Sequence, residues 1–298
     1  MTTDHTANEI SAGYPAGQRA NTGVVFIGAA WFSGSTLLGV MLGAHPSIFY
    51  AGEAKKTAFF SDPDVVLKKR VCRLCGPGCA VWGDLRLEPG EDMYEVLSRR
   101  TQRPIVFDSS KGIGWIKHHA AALRDVVPLR LIVLTRDGRA VVNSRLRKKT
   151  QYSAHQHAAA WVGQMRDTEE LALHWPGPVH RVRYEELTSQ PEPTLRALTD
   201  FLGVPFDPAM LDPWNSEQHP LGSNAGPLLM LLRERARSPI PGVINPDDKT
   251  RERYDTHPRG TVLDLRWKRE LSADDLAAFE EVAGETNRAY AWEEKPNT

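Results

Sequence analysis

The sequence predicts an α/β fold, a single domain with a central, mostly parallel sheet flanked by helices, and three observations support it. Val24–Ile27 and Leu131–Leu134 are short, unbroken, β-branched-rich apolar runs, and Ile105 opens a third short strand. Such runs suit strands buried on both faces of a parallel sheet. Each of the first two leads through a short turn into a helical pattern, the alternation expected of crossover connections. The 298 residues are 41% hydrophobic and 25% charged. That is enough apolar material to build a full core without disulfide or metal staples.

The first turn carries the first chemical signal. After Val24–Ile27, residues Gly28 to Gly34 form a turn of mainly small residues, and Ser35 or Thr36 opens an apolar helix through Leu37, Leu38, Met41 and Leu42. A strand, a glycine-containing turn and a helix start bring free backbone N–H groups and the positive end of a helix dipole to one point, where an anion binds. The nucleotide-triphosphate loop places four residues between its glycines and then a lysine. Here five residues separate Gly28 from Gly34, and Ser35 stands where the lysine would be. The turn therefore suits a monophosphate better than Mg-ATP; a hydroxyl-capped helix after a strand is the other reading.

The second strand supplies a cation. Arg136 follows Leu131–Leu134 at the strand's carboxyl end, where ligands of open α/β sheets gather. Ser144 lies eight residues later, about two turns along the helix that reads from Ala140 onward, in reach of a second phosphate. Arg139, Arg145, Arg147, Lys148 and Lys149 surround it, so a solvated basic helix face is the alternative.

Together the two segments resemble the cofactor motifs of sulfotransferases that use 3′-phosphoadenosine-5′-phosphosulfate (PAPS). Ser33, Gly34, Ser35 and Thr36 match the 5′-phosphosulfate loop, and Arg136 with Ser144 matches the arginine and serine of the 3′-phosphate motif at the family's spacing. Arg183-Tyr-Glu-Glu-Leu187, followed by Leu195, Leu198 and Phe201-Leu-Gly203, and the closing stretch with Trp267 and Leu271 extend the resemblance over most of residues 23 to 292. It implies a P-loop-like sulfotransferase fold of the bacterial branch with a Ser-Gly-Ser-Thr-Leu-Leu loop. It also implies PAPS as co-substrate, no metal requirement and an acceptor hydroxyl on a small molecule or carbohydrate.

Further residues take roles from the same resemblance. Glu53, in a Gly-Glu pair after the first helix, matches the family's general base; a capping or surface glutamate is the alternative. Burial would raise its pKa and nearby cations lower it, the tuning a base toward a hydroxyl needs. Lys111, in Asp108-Ser-Ser-Lys111, matches a lysine facing the transferring sulfuryl group, or else is a surface lysine opening a helix. The family places a basic residue before the Ser-Gly pair, whereas this chain has Phe32, and Lys111 is the candidate to replace that charge. His219, Gly222 and Asn224 resemble the element preceding a cofactor-covering loop, and Arg251, Arg253, Arg259 and Arg266 are candidates for a late 3′-phosphate contact.

The remaining signals set boundaries. Cys72, Cys75 and Cys79 fall within eight residues and read as a zinc knuckle lacking one ligand, a disulfide plus a free thiol, or reduced packing residues of a substrate-side insertion. The His118-His119 and His155-x-His157 pairs lack acidic or thiol partners at ligand spacing, so no metal site is assigned. Trp31, Phe32, Tyr50, Phe59, Phe60 and Trp82 suggest an aromatic-lined acceptor pocket. Zero formal net charge offers no global field for nucleic acid. Residues 1–22 read as a flexible tail without a signal peptide, substrate-side insertions are expected at 54–100 and 211–260, and a cytoplasmic protein without a membrane span is expected. A homodimer is left open. The rival functions are a small-molecule kinase of P-loop ancestry, with Asp108 as its metal-binding acid, and a non-catalytic nucleotide-binding protein.

Overall fold

The computed structural model describes residues 18–88 and 90–293; the expected tail falls outside the described residues up to residue 17. In chain order, the strands are β1 (Gly23–Gly28), β2 (Ile48–Gly52), β3 (Ile105–Asp108), β4 (Leu129–Thr135) and β5 (Val179–Arg183). The helices are α1 (Ser35–Gly43), α2 (Met93–Thr101), α3 (Ile113–Leu123), α4 (Gly138–Leu146), α5 (Ala154–Leu173), α6 (Tyr184–Ser189), α7 (Pro191–Leu202), α8 (Ala225–Glu234), α9 (Asp248–Asp255), α10 (Trp267–Glu270) and α11 (Ala273–Asn287).

The five strands form one sheet in the order β2-β3-β1-β4-β5, and every pairing is parallel. All residues of β1, β2 and β3 are buried, as helix-covered strands must be, while edge strand β5 is partly exposed. From β1 the chain runs to the edge strand β2, and from β4 it runs to the opposite edge strand β5. The turns after β1 and β4 therefore part company at the carboxyl edge of neighbouring strands, which is where open α/β sheets open a crevice.

Two cores hold this frame. The larger surrounds the sheet, with Phe26, Ile27, Leu38, Met41, Phe107 and Leu131 fully buried. The smaller packs α4, α5 and α11 together through Val141, Val142, Trp161, Met165, Phe279 and Ala283. α11 also fixes the start of α4: the Gly138 amide donates to Asn287 Oδ1 at 2.7 Å.

The segment expected as the first insertion holds a helix that packs on the core. α2 buries Met93, Tyr94 and Leu97 against the core, and Asp92 caps it through the amides of Tyr94 and Glu95. Residues 19–21 dock on this helix, since the amides of Ala20 and Asn21 donate to the Glu95 carboxylate and Arg19 pairs with Asp92. No helix among the described residues is long and apolar enough to cross a membrane.

Candidate active site

The turn after β1 is shaped by where its carbonyls go. The Arg136 guanidinium donates to Phe32 O at 3.0 Å, and Arg145 donates to Trp31 O at 3.4 Å and to Gln164 Oε1 at 2.5 Å. Gln164 Oε1 in turn accepts from the Trp31 amide. Phe32 adopts a left-handed backbone, φ 74°, at which a non-glycine residue is strained. The strain is held by the two guanidinium anchors. Gly34, φ 94°, caps α1 without any side-chain cap, so the helix opens with its first-turn amides uncapped by any side chain. A Cβ at Gly34 would approach Tyr184 Cδ2 to 2.4 Å. Only glycine satisfies both the conformation and the contact.

Ser33, Ser35 and Thr36 are all buried here. Among the described residues the Ser33 hydroxyl has no hydrogen-bond partner, a buried polar group of the kind that calls for a ligand. Thr36 Oγ1 accepts from the Asn224 amide at 3.0 Å, tying the start of α1 to the start of α8.

Arg136 is brought to the same place. Its guanidinium lies 4.2 Å from the centroid of the Tyr184 ring, the ring that also closes on Gly34, so Tyr184 joins the two halves of the crevice. The residue after Arg136 is locked: the Asp137 amide donates to Glu185 Oε1, and its carboxylate accepts from Arg139 and from the Trp292 amide. Ser144 is buried on α4, two turns on, as the spacing predicts.

The cationic pocket around Arg136 holds a residue that the sequence reading overlooked. Asp264 pairs with Arg136 at 3.3 Å and with Arg266 at 2.6 Å. Burial opposes its charge, but Arg266, Arg136 and Arg253 hold the carboxyl well below the usual carboxylate range. Of the four late arginines, Arg266 and Arg253 converge on this point. Arg259 turns away to Asp212 and Glu234, and Arg251 is exposed.

The ends of β2 and β3 carry the second group. Glu53 pairs with Lys56 at 3.1 Å, and Lys111 and Lys55 act on the same carboxylate. Burial works to raise its pKa, but Lys111 first, then Lys56 and Lys55 outweigh it, so the group is lowered overall. The glutamate is thus held ionised. Lys111 is lowered too, by burial first, with Glu53 opposing that shift, and its ammonium donates to Ser109 O at 3.3 Å. Gly52, φ 72°, admits the main chain of Leu221, whose carbonyl a Cβ would meet at 2.2 Å. Leu221 O accepts from the Glu53 amide, and Gly222 lies against the Glu53 carboxylate.

Asp108 is committed elsewhere. Its carboxylate accepts from the Ala54 and Ser110 amides, the Tyr94 hydroxyl and the Trp115 indole, and it is fully buried. The aromatic wall also needs correction. Tyr50 and Trp82 are 1% and 3% exposed and belong to the core, where Trp82 packs on Phe49 and Phe60. Tyr50 instead links β2 to Ser223, whose Oγ is 2.9 Å from its hydroxyl. Trp31, 47% exposed, is left at the rim.

The zinc-knuckle reading of the three cysteines lacks one ligand in sequence, and a candidate stands beside them in space. His219 lies with Cys72, Cys75 and Cys79, the four ligand atoms all within 4.8 Å of one another. Of the two histidine pairs, His118 and His155 are exposed, His119 packs at a tilt against Trp115, and His157 Nε2 meets Lys149 O.

Residues 114–208 match a family model described as "Sulfotransferase family", a span containing β4, Arg136, Ser144 and the Arg183-Tyr184 turn. A solved sulfotransferase domain from the curacin biosynthetic pathway is similar over 91% of this chain and 99% of its own, with 19% identity and a TM-score of 0.56. A sulfotransferase domain from the Synechococcus PCC 7002 olefin synthase is 21% identical over 93% of this chain and 98% of its own, with a TM-score of 0.49. No curated protein sequence matches the chain. Residues 114–208 thus resemble the sulfotransferase family across the arginine strand of the crevice, and the chain shares its fold with a solved sulfotransferase domain.

Proposed function

We propose that this protein transfers a sulfuryl group from PAPS to a hydroxyl of a small-molecule or carbohydrate acceptor, leaving adenosine 3′,5′-bisphosphate. The observation that carries the reading is the meeting of an uncapped helix start and a buried arginine across Tyr184. Ser33, Gly34, Ser35 and Thr36 bind the 5′-phosphosulfate through amides and hydroxyls. Arg136 and Ser144, supported by Arg266, bind the 3′-phosphate after displacing the Asp264 carboxylate.

The reaction is an in-line displacement at sulfur. The acceptor oxygen forms the new S–O bond, the S–O bond to the 5′-phosphate breaks, and the acceptor proton passes to Glu53. Lys111 balances charge on the sulfuryl oxygens and the leaving phosphate, a task assisted by Lys55 and Lys56 in place of the basic residue that Phe32 replaces. No metal ion is needed for the transfer. The kinase reading is disfavoured because the four hydrogen bonds on Asp108 occupy the acid it needs. The non-catalytic reading rests on Phe32 and is weakened by these lysines.

The test is incubation with PAPS labelled in its sulfuryl group and a metabolite extract of the source cells. Label appearing in an acceptor that the Glu53→Gln variant does not label supports the reading. Transfer of labelled γ-phosphate from ATP instead, or no transfer of either group, overturns it.

A further inference from the structure

Cys72, Cys75 and Cys79 come from the segment between β2 and α2, and His219 comes from the loop before α8. Three local features bring them together. Gly76, φ 69°, turns the chain so that its amide donates to Cys72 O at 3.0 Å, folding Cys75 back beside Cys72. The Gly83 amide donates to Cys79 O at 2.7 Å and closes the next turn. Cys72 pairs with Leu221 and the Arg73 amide donates to Pro220 O, which sets His219 against the thiols although it is 140 residues from Cys79 in sequence.

The distances fit a tetrahedral ion. His219 Nδ1 is 3.3 Å from Cys75 Sγ and 3.4 Å from Cys79 Sγ. Zn–S bonds of about 2.3 Å and Zn–N bonds of about 2.0 Å at tetrahedral angles place sulfur and nitrogen roughly 3.5 Å apart. The imidazole is oriented as a ligand would be. Its Nε2 faces Glu217 Oε1 at 3.7 Å, a carboxylate on the far side of the ring, and the Trp82 indole donates to the His219 carbonyl. A disulfide would use two of the sulfurs and leave the third and the imidazole without a purpose. All three thiols are free.

We propose that Cys72, Cys75, Cys79 and His219 bind one Zn²⁺ in a closed, structural Cys3His site. Thiolate and imidazole ligands in a tetrahedral set select this ion, and four protein ligands leave no position for a substrate. The site shares no residue with the PAPS-binding set proposed above and stands independently of that reading. Its work is to clip the insertion onto the loop that walls Glu53. Two residues beyond His219, Leu221 bonds Ala51 O and the Glu53 amide; Ser223 then meets Tyr50, and Asn224 meets Thr36.

The experiment is elemental analysis of the full-length protein, expressed with zinc available and freed of loosely bound metal on a chelating resin. One zinc per chain is expected, released stoichiometrically when a mercurial titrates the thiols, with a fall in Tm on release. Cys75→Ser and His219→Ala should each lose most of the metal. Since either variant can fail to fold, Co²⁺ is also titrated into the wild-type apoprotein, where tetrahedral thiolate-to-cobalt absorption should saturate at one equivalent. Protein that carries no zinc, gives no such cobalt spectrum and reacts with Ellman's reagent at three thiols without loss of stability would overturn the proposal. So would full zinc occupancy in a folded His219→Ala variant.

Discussion

Replacing Arg136 with lysine keeps the charge and removes the geometry. The guanidinium donates to Phe32 O at 3.0 Å, pairs with Asp264 at 3.3 Å and stacks at 4.2 Å on Tyr184 while only 7% exposed. An ammonium is a point charge that makes one of these contacts at a time. Losing the stacking costs about 1 kcal/mol and losing a hydrogen bond about 1 kcal/mol more, so the variant should melt a few degrees lower and remain folded. For ligand, the loss of paired donors on a phosphate is about 1.5–3 kcal/mol, or roughly 10- to 100-fold in affinity. The assay is calorimetric titration of wild type and variant with adenosine 3′,5′-bisphosphate and with adenosine 5′-monophosphate. If Arg136 reads the 3′-phosphate, the variant should lose most of the preference for the bisphosphate while its affinity for the monophosphate changes little. An unchanged preference would refute the reasoning; equal loss for both nucleotides would mean that Arg136 only shapes the turn.

Four further outcomes are expected. Glu53→Gln should lower turnover by about 10²- to 10⁴-fold and leave bisphosphate affinity unchanged, checked by steady-state kinetics beside calorimetry. The pH profile follows from the shifts of two groups: Glu53 is held below its ordinary 4.5, so turnover should be lost only as pH falls beneath that value. Lys111 is held below its ordinary 10.5, so the alkaline limb should begin earlier than for a free lysine. Gly34→Ala, which forces a Cβ to 2.4 Å from Tyr184 at φ 94°, should cost at least 1–2 kcal/mol of stability and abolish nucleotide binding, read from thermal unfolding and titration. Asp264→Asn removes a carboxylate that competes for Arg136 and Arg266 and should tighten bisphosphate binding several-fold; weaker binding would mean that Asp264 positions the arginines instead.

The parts of this molecule that repeat a local rule were legible in the chain. The runs at Val24 and Leu131 became β1 and β4, the helix opened at Ser35, and Arg136 emerged at a strand end, because burial on both faces and small-residue turns leave a mark on neighbouring residues. α4 begins at Gly138 rather than Ala140, since Asp137 caps it. What depended on distant pairings was not legible. Asp264 meets Arg136 across 128 residues, as the contact of Arg136 with the Asp264 carbonyl records, and no spacing announces that pairing. His219 completes the cysteine cluster only because Leu221 adds itself beside Gly52 and Cys72. Tyr50 and Trp82 read as wall residues because aromaticity alone does not distinguish a lined pocket from a filled one. The direction of the Glu53 shift was equally hidden, since it is decided by three lysines from two segments against one burial. Phe32 carries a left-handed backbone that residue type would not predict; Arg136 and Arg145 impose it from outside the turn.

The central claim is that the turn after β1 and the arginine after β4 form one receptor for a doubly phosphorylated adenosine. Isothermal calorimetry on the unaltered protein tests it most directly, with adenosine 3′,5′-bisphosphate titrated in one series and Mg-ATP in another. The account predicts saturable binding of the bisphosphate at one equivalent, at least tenfold tighter than Mg-ATP. Tighter binding of Mg-ATP, or no heat from either nucleotide, would contradict it.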